Sequence, residues 1–281
     1  MKTLKLLVLF TLCCLTGCDD GYMASYQSEV VVEGWIENDG FPVVMLTRSL
    51  PVMEEKVEVG NLYDYILRWA VVRVSCEGRS VVLTGKYDEH YFPPYIYTTS
   101  HMKGEVGKTY TLTVDDRDIH AEATTSILPP PSFDSIRIDK VSESDTLCAL
   151  MACFADPKDE QNYYQLWVKT GCDSRQFLAA YLGSISDHSL NGYAETPVNQ
   201  GHRFRYKHYT PYFTVGDTVA VKLAQVDSLS HQYWSEYDKS ITLSNNMMFP
   251  KSTNLPTNIR GGIGYWCGMG STVKQVVIPC E

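Results

Sequence analysis

Lys108-Thr109-Tyr110-Thr111-Leu112-Thr113-Val114-Asp115 is the stretch that decides how this chain is read. Tyr110, Leu112 and Val114 fall at alternate positions, with Thr109, Thr111 and Thr113 between them. Successive side chains of a strand point to opposite faces, so the pattern predicts a half-buried strand, apolar on one face and hydroxylic on the other. Asp116 and Asp118 mark the next turn, and Ile119 to Ser126 continues as a strand. Upstream, Leu67 to Glu77 and Ser80 to Thr84 predict a hairpin around Glu77-Gly78-Arg79. The Val-rich run Glu29 to Ile36 ends in the turn signal Glu37-Asn38-Asp39-Gly40, and Pro42 opens a strand from Val43 to Thr47. Short strands at this spacing predict an immunoglobulin-like β-sandwich over residues 28–128.

Pro129-Pro130-Pro131 breaks the pattern. Three prolines fix extended backbone and donate no hydrogen bonds, so residues 129–132 read as a stiff linker. Strands resume at Ser135 to Val141, Thr146 to Phe154, Tyr163 to Thr170 and Asp217 to Val226, the last with Val219, Val221 and Leu223 inward. The period then changes. Leu229, Tyr233, Tyr237 and Ile241 recur every four residues behind Asp227 and Ser228, either of which can cap a helix. Gly261 to Cys267 and Thr272 to Ile278 close the chain as strands. The expected fold class is mostly β: the sandwich, followed by a C-terminal β-rich domain with one helix over residues 133–281.

The bulk numbers agree. The chain has 281 residues, 44% of them apolar, and 19 tyrosines. That is a folded, strand-favouring composition, long enough for one large or two ordinary domains. The formal charge of −9 argues against nucleic acid, which calls for a basic face.

The first 18 residues carry a second message. Lys2 and Lys5 precede an apolar run from Leu6 to Leu15, in the layout of a secretory signal. The run is too short to cross a bilayer, which takes ~20 apolar residues. It ends in Leu15-Thr16-Gly17-Cys18, which resembles the lipobox of bacterial lipoproteins. That resemblance implies a signal peptide over residues 1–17, cleavage before Cys18, and lipid on the Cys18 sulfur. Several acyl chains on one residue pass the two-signal threshold for stable anchoring. The tether over residues 18–27 reaches at most ~35 Å when fully extended. Asp19 and Asp20 resemble the acidic surface-export signals of Bacteroidota lipoproteins. Beyond Cys13, Cys14 and Cys18 the cysteines are Cys76, Cys148, Cys153, Cys172, Cys267 and Cys280, with no C-x-x-C spacing. Most are expected as buried small apolar side chains, with room for one disulfide.

Three stretches carry a wider resemblance: Val30-Val31-Val32-Glu33-Gly34-Trp35-Ile36, then Phe154-Ala155-Asp156-Pro157 with Asn162-Tyr163-Tyr164, then Asn258-Ile259-Arg260-Gly261-Gly262-Ile263-Gly264-Tyr265-Trp266. In this order behind a lipobox they resemble a Bacteroidota lipoprotein family known as domain of unknown function number four-two-four-nine. Trp266 stands where that family more often has phenylalanine, a departure expected to have no chemical consequence. Members are outer-membrane lipoproteins often encoded near TonB-dependent receptors. The resemblance implies an outer-membrane location on either face, and an accessory binding or docking role beside such a β-barrel receptor. It carries over no catalytic residue. An independent adhesin or structural lipoprotein is the alternative, and a hydrolase comes third.

Candidate chemistry in the sequence is sparse. Asp156, Asp159, Glu160 and Asn162 are oxygen donors that suit calcium, although the EF-hand pattern is absent and a hairpin loop reads the same way. Gly261-Gly262-x-Gly264 and Gly268-x-Gly270 lack the lysine and helix of a phosphate loop, and predict tight backbone packing instead. Tyr91, Phe92, Tyr95 and Tyr97, in an aromatic stretch with Pro93 and Pro94, are the main candidates for a sugar or peptide platform. The preferred alternative makes Tyr95 and Tyr97 strand residues in cross-strand pairs. Arg203, Arg205 and Tyr209 belong to the basic cluster of an acidic chain, suited to an acidic partner or to a solvated hairpin. Neither H-E-x-x-H nor G-x-S-x-G occurs, so no enzyme and no cofactor are expected.

Overall fold

The computed structural model describes residues 28–50, 63–142, 144–158, 160–171, 176–190, 192–201, 209–244 and 255–279. Cys18 and the leader before it, Asp159, Cys172, Arg203, Arg205 and Cys280 lie outside the described residues.

The protein is mostly β. The first half holds β1 (Val30–Glu37), β2 (Val43–Arg48), β3 (Val71–Cys76), β4 (Arg79–Val82), β5 (Thr84–Tyr87), β6 (Tyr95–Thr98), β7 (Thr109–Asp116) and β8 (Ile119–Ser126). The second holds β9 (Phe133–Lys140), β10 (Leu147–Ala155), β11 (Tyr163–Thr170), β12 (Leu178–Ser186), β13 (Tyr193–Val198), β14 (Phe213–Thr214) and β15 (Thr218–Val226), then helix α1 (Ser228–Ser244) and β16 (Ile263–Val277). Among the described residues α1 is the one α-helix, and no helix is long and apolar enough to cross a membrane.

The alternating stretch forms β7 as its pattern requires, with Tyr110, Leu112 and Val114 at most 1% exposed. The β3–β4 hairpin turns at Glu77 and Gly78, both at positive φ (48° and 80°), as a two-residue hairpin turn demands. Helix α1 begins where Asp227 accepts a hydrogen bond from the Ser230 amide at 2.7 Å, which satisfies an otherwise orphaned donor.

Three sheets build two cores. An eight-stranded sheet runs β12-β11-β15-β16-β1-β2-β6-β5, and two four-stranded sheets cover one of its faces. The sheet β4-β3-β7-β8 closes the first core, around Val32, Ile36, Leu46, Val74, Leu112 and Trp266. The sheet built on β10 closes the second, around Leu150, Phe154, Tyr164, Leu166, Val221 and Leu223. The 15-residue strand β16 serves both. Its first part, Ile263 to Met269, runs parallel to β1, and its second, Gly270 to Val277, antiparallel to β15. The first core therefore takes Ile259 and Trp266 from the far end of the chain, which a boundary drawn at the prolines in chain order does not contain.

The third family stretch makes this seam. Asn258 brackets Trp266, donating to its carbonyl at 2.7 Å and accepting from its amide at 2.9 Å. The indole N–H of Trp266 donates to the Tyr110 carbonyl at 3.0 Å, so tryptophan here has a chemical consequence that phenylalanine could not reproduce. Gly34 leaves room for that indole, since a Cβ there would stand 2.8 Å from the Trp266 ring. Gly264 sits at φ 111°, and a Cβ on it would stand 1.9 Å from the Val32 carbonyl oxygen. The glycines thus let two backbones approach closely, as the sequence predicted.

Candidate functional site

Strand alternation divides the signature residues between the two faces of the long sheet. Val30, Val32 and Ile36 of β1 enter the first core, which leaves Glu33, Trp35 and Glu37 on the opposite, outer face. The β1–β16 register sets Glu33 beside Tyr265, Trp35 beside Cys267 and Glu37 beside Met269. Helix α1 packs Tyr233 and Trp234 onto this face, together with Trp167 of β11 and Ala224 and Val226 of β15.

The rings form a continuous aromatic wall. Tyr233 and Tyr265 lie 4.6 Å apart between centroids, Trp234 and Tyr265 5.4 Å, Trp234 and Tyr237 5.6 Å, and Trp167 and Trp234 6.0 Å. At the other side Tyr91 reaches over from the β5–β6 loop to within 6.1 Å of Trp35. Tilted and edge-on pairs at these spacings are the favoured arrangements of aromatic quadrupoles.

Two carboxylates stand among these rings, in opposite conditions. Glu37 is neutralised. Lys222 Nζ lies 2.7 and 2.8 Å from its two oxygens, Ser271 Oγ donates to it at 3.0 Å, and the same ammonium stands 4.4 Å over the Phe177 ring. Glu33 has no hydrogen bond or ion pair among the described residues. The residue as a whole is half-buried, but the surrounding rings desolvate its carboxyl and raise its pKa. Its charge in turn helps to hold the hydroxyls of Tyr233, Tyr237 and Tyr265 above the usual phenol range, with burial the larger cause in each. Those three hydroxyls make no hydrogen bond to a described residue either. One carboxylate and three phenols thus share a small region of the aromatic face without bonding to one another.

Of the aromatic candidates among the described residues, Tyr91 joins this face. Tyr97 is a core residue, 2% exposed, whose hydroxyl donates to the Leu67 carbonyl at 2.7 Å and accepts from the Ala70 amide at 3.2 Å. Tyr95 packs edge-on to Tyr97 at 5.6 Å and donates to the Arg68 carbonyl at 3.2 Å. Both hydroxyls thus bond to the Leu67–Ala70 segment. Phe92 is exposed and lines a pocket with Leu50 and Tyr63. Tyr209 packs edge-on to Tyr181 at 5.4 Å and donates to the Gln200 carbonyl at 2.7 Å.

Two of the calcium candidates, Asp156 and Asn162, are engaged elsewhere. Asp156 accepts from the Tyr164 hydroxyl at 2.6 Å, and Asn162 accepts from Gln225 at 2.5 Å while donating to the Glu160 carbonyl at 3.2 Å. With Phe154 edge-on to Tyr164 at 5.0 Å, the second family stretch ties β10 to β11. Among the described residues no group of three or more His, Cys, Asp or Glu side chains is placed to hold a metal ion.

One contact resembles part of a catalytic triad. Ser184 Oγ lies 2.8 Å from His231 Nδ1, and Tyr163 stacks on the imidazole at 4.8 Å. No carboxylate is bonded to His231 among the described residues, so the third, orienting member is missing. Cys267 is buried and its thiol is pushed up to about 12, which disfavours the nucleophilic thiolate. Four cysteines among the described residues, Cys76, Cys148, Cys153 and Cys267, are unbridged.

A titration is built into the rear of the helix. Asp238 is 7% exposed, accepts from the Leu182 amide, and burial raises its carboxyl pKa to about 6. The folded state therefore binds this proton more tightly than the unfolded state. Stability is highest below the ordinary carboxylate range and falls as pH rises through about 6. A shift of two units sets an upper limit of about 3 kcal/mol. Asp238→Asn keeps an acceptor for Leu182, and is expected to raise the melting temperature at pH 8 by about 2–4 °C per kcal/mol relieved. At pH 4 the variant and the parent should melt together. Thermal scans at the two pH values check this, and a variant that melts below the parent at pH 8 would refute it.

The architecture and the site define a class: a mostly β protein with one long sheet, two cores and an outer aromatic face partly covered by a single helix. Residues 22–275 match the family described as Domain of unknown function (DUF4249), and the chain belongs to that family. No curated protein matches it.

Proposed function

We propose that this is a lipid-anchored binding protein of the outer membrane, accessory to a TonB-dependent β-barrel receptor, which holds a glycan or peptide ligand on the outer aromatic face around Glu33. The observation that carries the binding role is the Glu33 carboxylate set among tyrosyl hydroxyls with no partner among the described residues. Sugar C–H faces stack on aromatic rings, and sugar hydroxyls or a peptide ammonium donate to a carboxylate. An anionic ligand is disfavoured by Glu33 and by the acidic balance of the chain. The lipobox at Leu15 to Cys18 and membership of the family support the anchored location. The two facing sheets of the first half support its immunoglobulin-like reading.

The test pairs the full chain with its Glu33→Gln variant on glycan arrays and peptide libraries. Glu33→Gln keeps the side-chain shape but removes the charge. A charge-assisted bond contributes about 1.5–3 kcal/mol, so affinity should fall at least about tenfold with no loss of melting temperature, since burial already disfavours the Glu33 charge. Equal binding by the two proteins would remove Glu33 from the site. Unchanged uptake through a neighbouring receptor after deletion of the gene would end the transport reading.

A further inference from the structure

One edge of the molecule carries five exposed apolar side chains: Leu50, Tyr63, Trp69, Tyr87 and Phe92. Trp69 is 89% exposed, Tyr87 70% and Phe92 60%. Large apolar groups seldom stand this free in a protein that meets only water, and their clustering marks a surface that is covered in use.

Their location says by what. The Ser49 amide donates to the Glu29 carbonyl at 2.8 Å, and Val30 pairs with Arg48, so the end of β2 lies beside the start of β1. Leu50 follows directly. It shares an apolar pocket of about 120 Å³ with Tyr63, Tyr65 and Phe92. The Trp69 loop is tied to the same edge, because the carbonyl of Arg68 accepts from Tyr95, and Tyr95 pairs with Tyr87. The exposed rings therefore gather where the chain leaves for its N-terminus, within one tether of Cys18. Charge does not account for the cluster: Arg48 is paired with Asp116 at 3.7 Å and Lys86 with Asp88 at 3.3 Å.

We propose that this edge, led by Trp69, Tyr87 and Phe92, rests in the headgroup region of the bilayer to which Cys18 ties the chain. Tryptophan and tyrosine favour that interface because an apolar ring and a polar group find suitable surroundings together. The inference rests on the lipid-anchor reading. It adds to it a fixed orientation, in which the β5–β6 loop places Phe92 against lipid and Tyr91 against the ligand face.

The lipidated chain, reconstituted in phosphatidylethanolamine vesicles with and without brominated acyl chains, tests it. Bromine quenches tryptophan only at close range. The part of the fluorescence lost in Trp69→Phe is expected to be the quenched part, and identical Trp69 emission in the two vesicles would overturn the proposal. Intact mass of the same sample reports acylation of Cys18, so a missing anchor is told apart from a misplaced edge. The unacylated Cys18→Ser chain gives a second reading. It should partition into vesicles through the rings alone, and Trp69→Ser with Phe92→Ser should weaken that at least about tenfold without lowering the melting temperature. Equal partitioning of the two chains would also overturn it.

Discussion

Replacing Gly264 by alanine is expected to leave no cooperatively folded protein. The added Cβ would stand 1.9 Å from the Val32 carbonyl oxygen, 2.9 Å from its carbon and 3.0 Å from its nitrogen. These are backbone atoms of β1, held in register with β16 on one side and β2 on the other, so neither chain can yield alone. The position also sits at φ 111°, which side chains other than glycine's rarely adopt. Separating the strands would open the seam on which both cores depend, against a total stability of about 5–15 kcal/mol. Gly107→Ala is the control. It has a positive φ of 83° but nothing within 4 Å of the new Cβ, so it pays the conformational term alone, about 1 kcal/mol. Near-ultraviolet circular dichroism and a thermal scan of both variants decide the matter. A folded Gly264→Ala protein melting within a few degrees of Gly107→Ala would show that the seam is softer than its geometry implies.

The same seam separates what the sequence shows from what it hides. Strand β7 is legible because its alternation is local, and the start of α1 because Asp227 precedes a four-residue period. The glycine stretch is legible as close packing, since it lacks the companions a phosphate loop needs. The candidate site has no such local mark. Glu33 sits in a valine run and reads as one more outward residue of an alternating strand. Only the parallel pairing of β1 with β16 sets it beside Tyr265, and only the return of α1 brings Tyr233 and Tyr237 to it. Nothing in residues 30–36 encodes that encounter. Aromatic density in turn pointed to a loop where one tyrosine, Tyr91, reaches the outer aromatic face and two others hold the fold. Tyr95 and Tyr97 share a strand face, and their hydroxyls find carbonyls of the Leu67–Arg68 segment, a partner that composition cannot reveal.

Lys222→Met is expected to destabilise the protein by about 3 kcal/mol, because it strands Glu37. The two side chains come from different halves, Glu37 from the end of β1 and Lys222 from the middle of β15, with Ser271 of β16 between them. They are only 21% and 10% exposed, so the carboxylate left behind keeps one hydroxyl donor and little water. Glu37→Gln should cost less, since the ammonium still faces the Phe177 ring 4.4 Å away and the amide oxygen still accepts from Ser271. If the pair acts as a latch across the seam, the double variant loses less than the two single losses combined, by about 1.5 kcal/mol or more. Urea unfolding of the four proteins measures that coupling, and simple additivity would reduce the contact to an incidental ion pair. The shape of the transition carries a second consequence. Strand β16 joins the halves through main-chain bonds on both sides, whereas the Glu37–Lys222 contact joins them through side chains on the outer face. With the latch removed and β16 intact, the halves should still unfold together at a lower urea midpoint. A second, separate transition would mean that the side-chain contact, rather than the shared strand, couples the two cores.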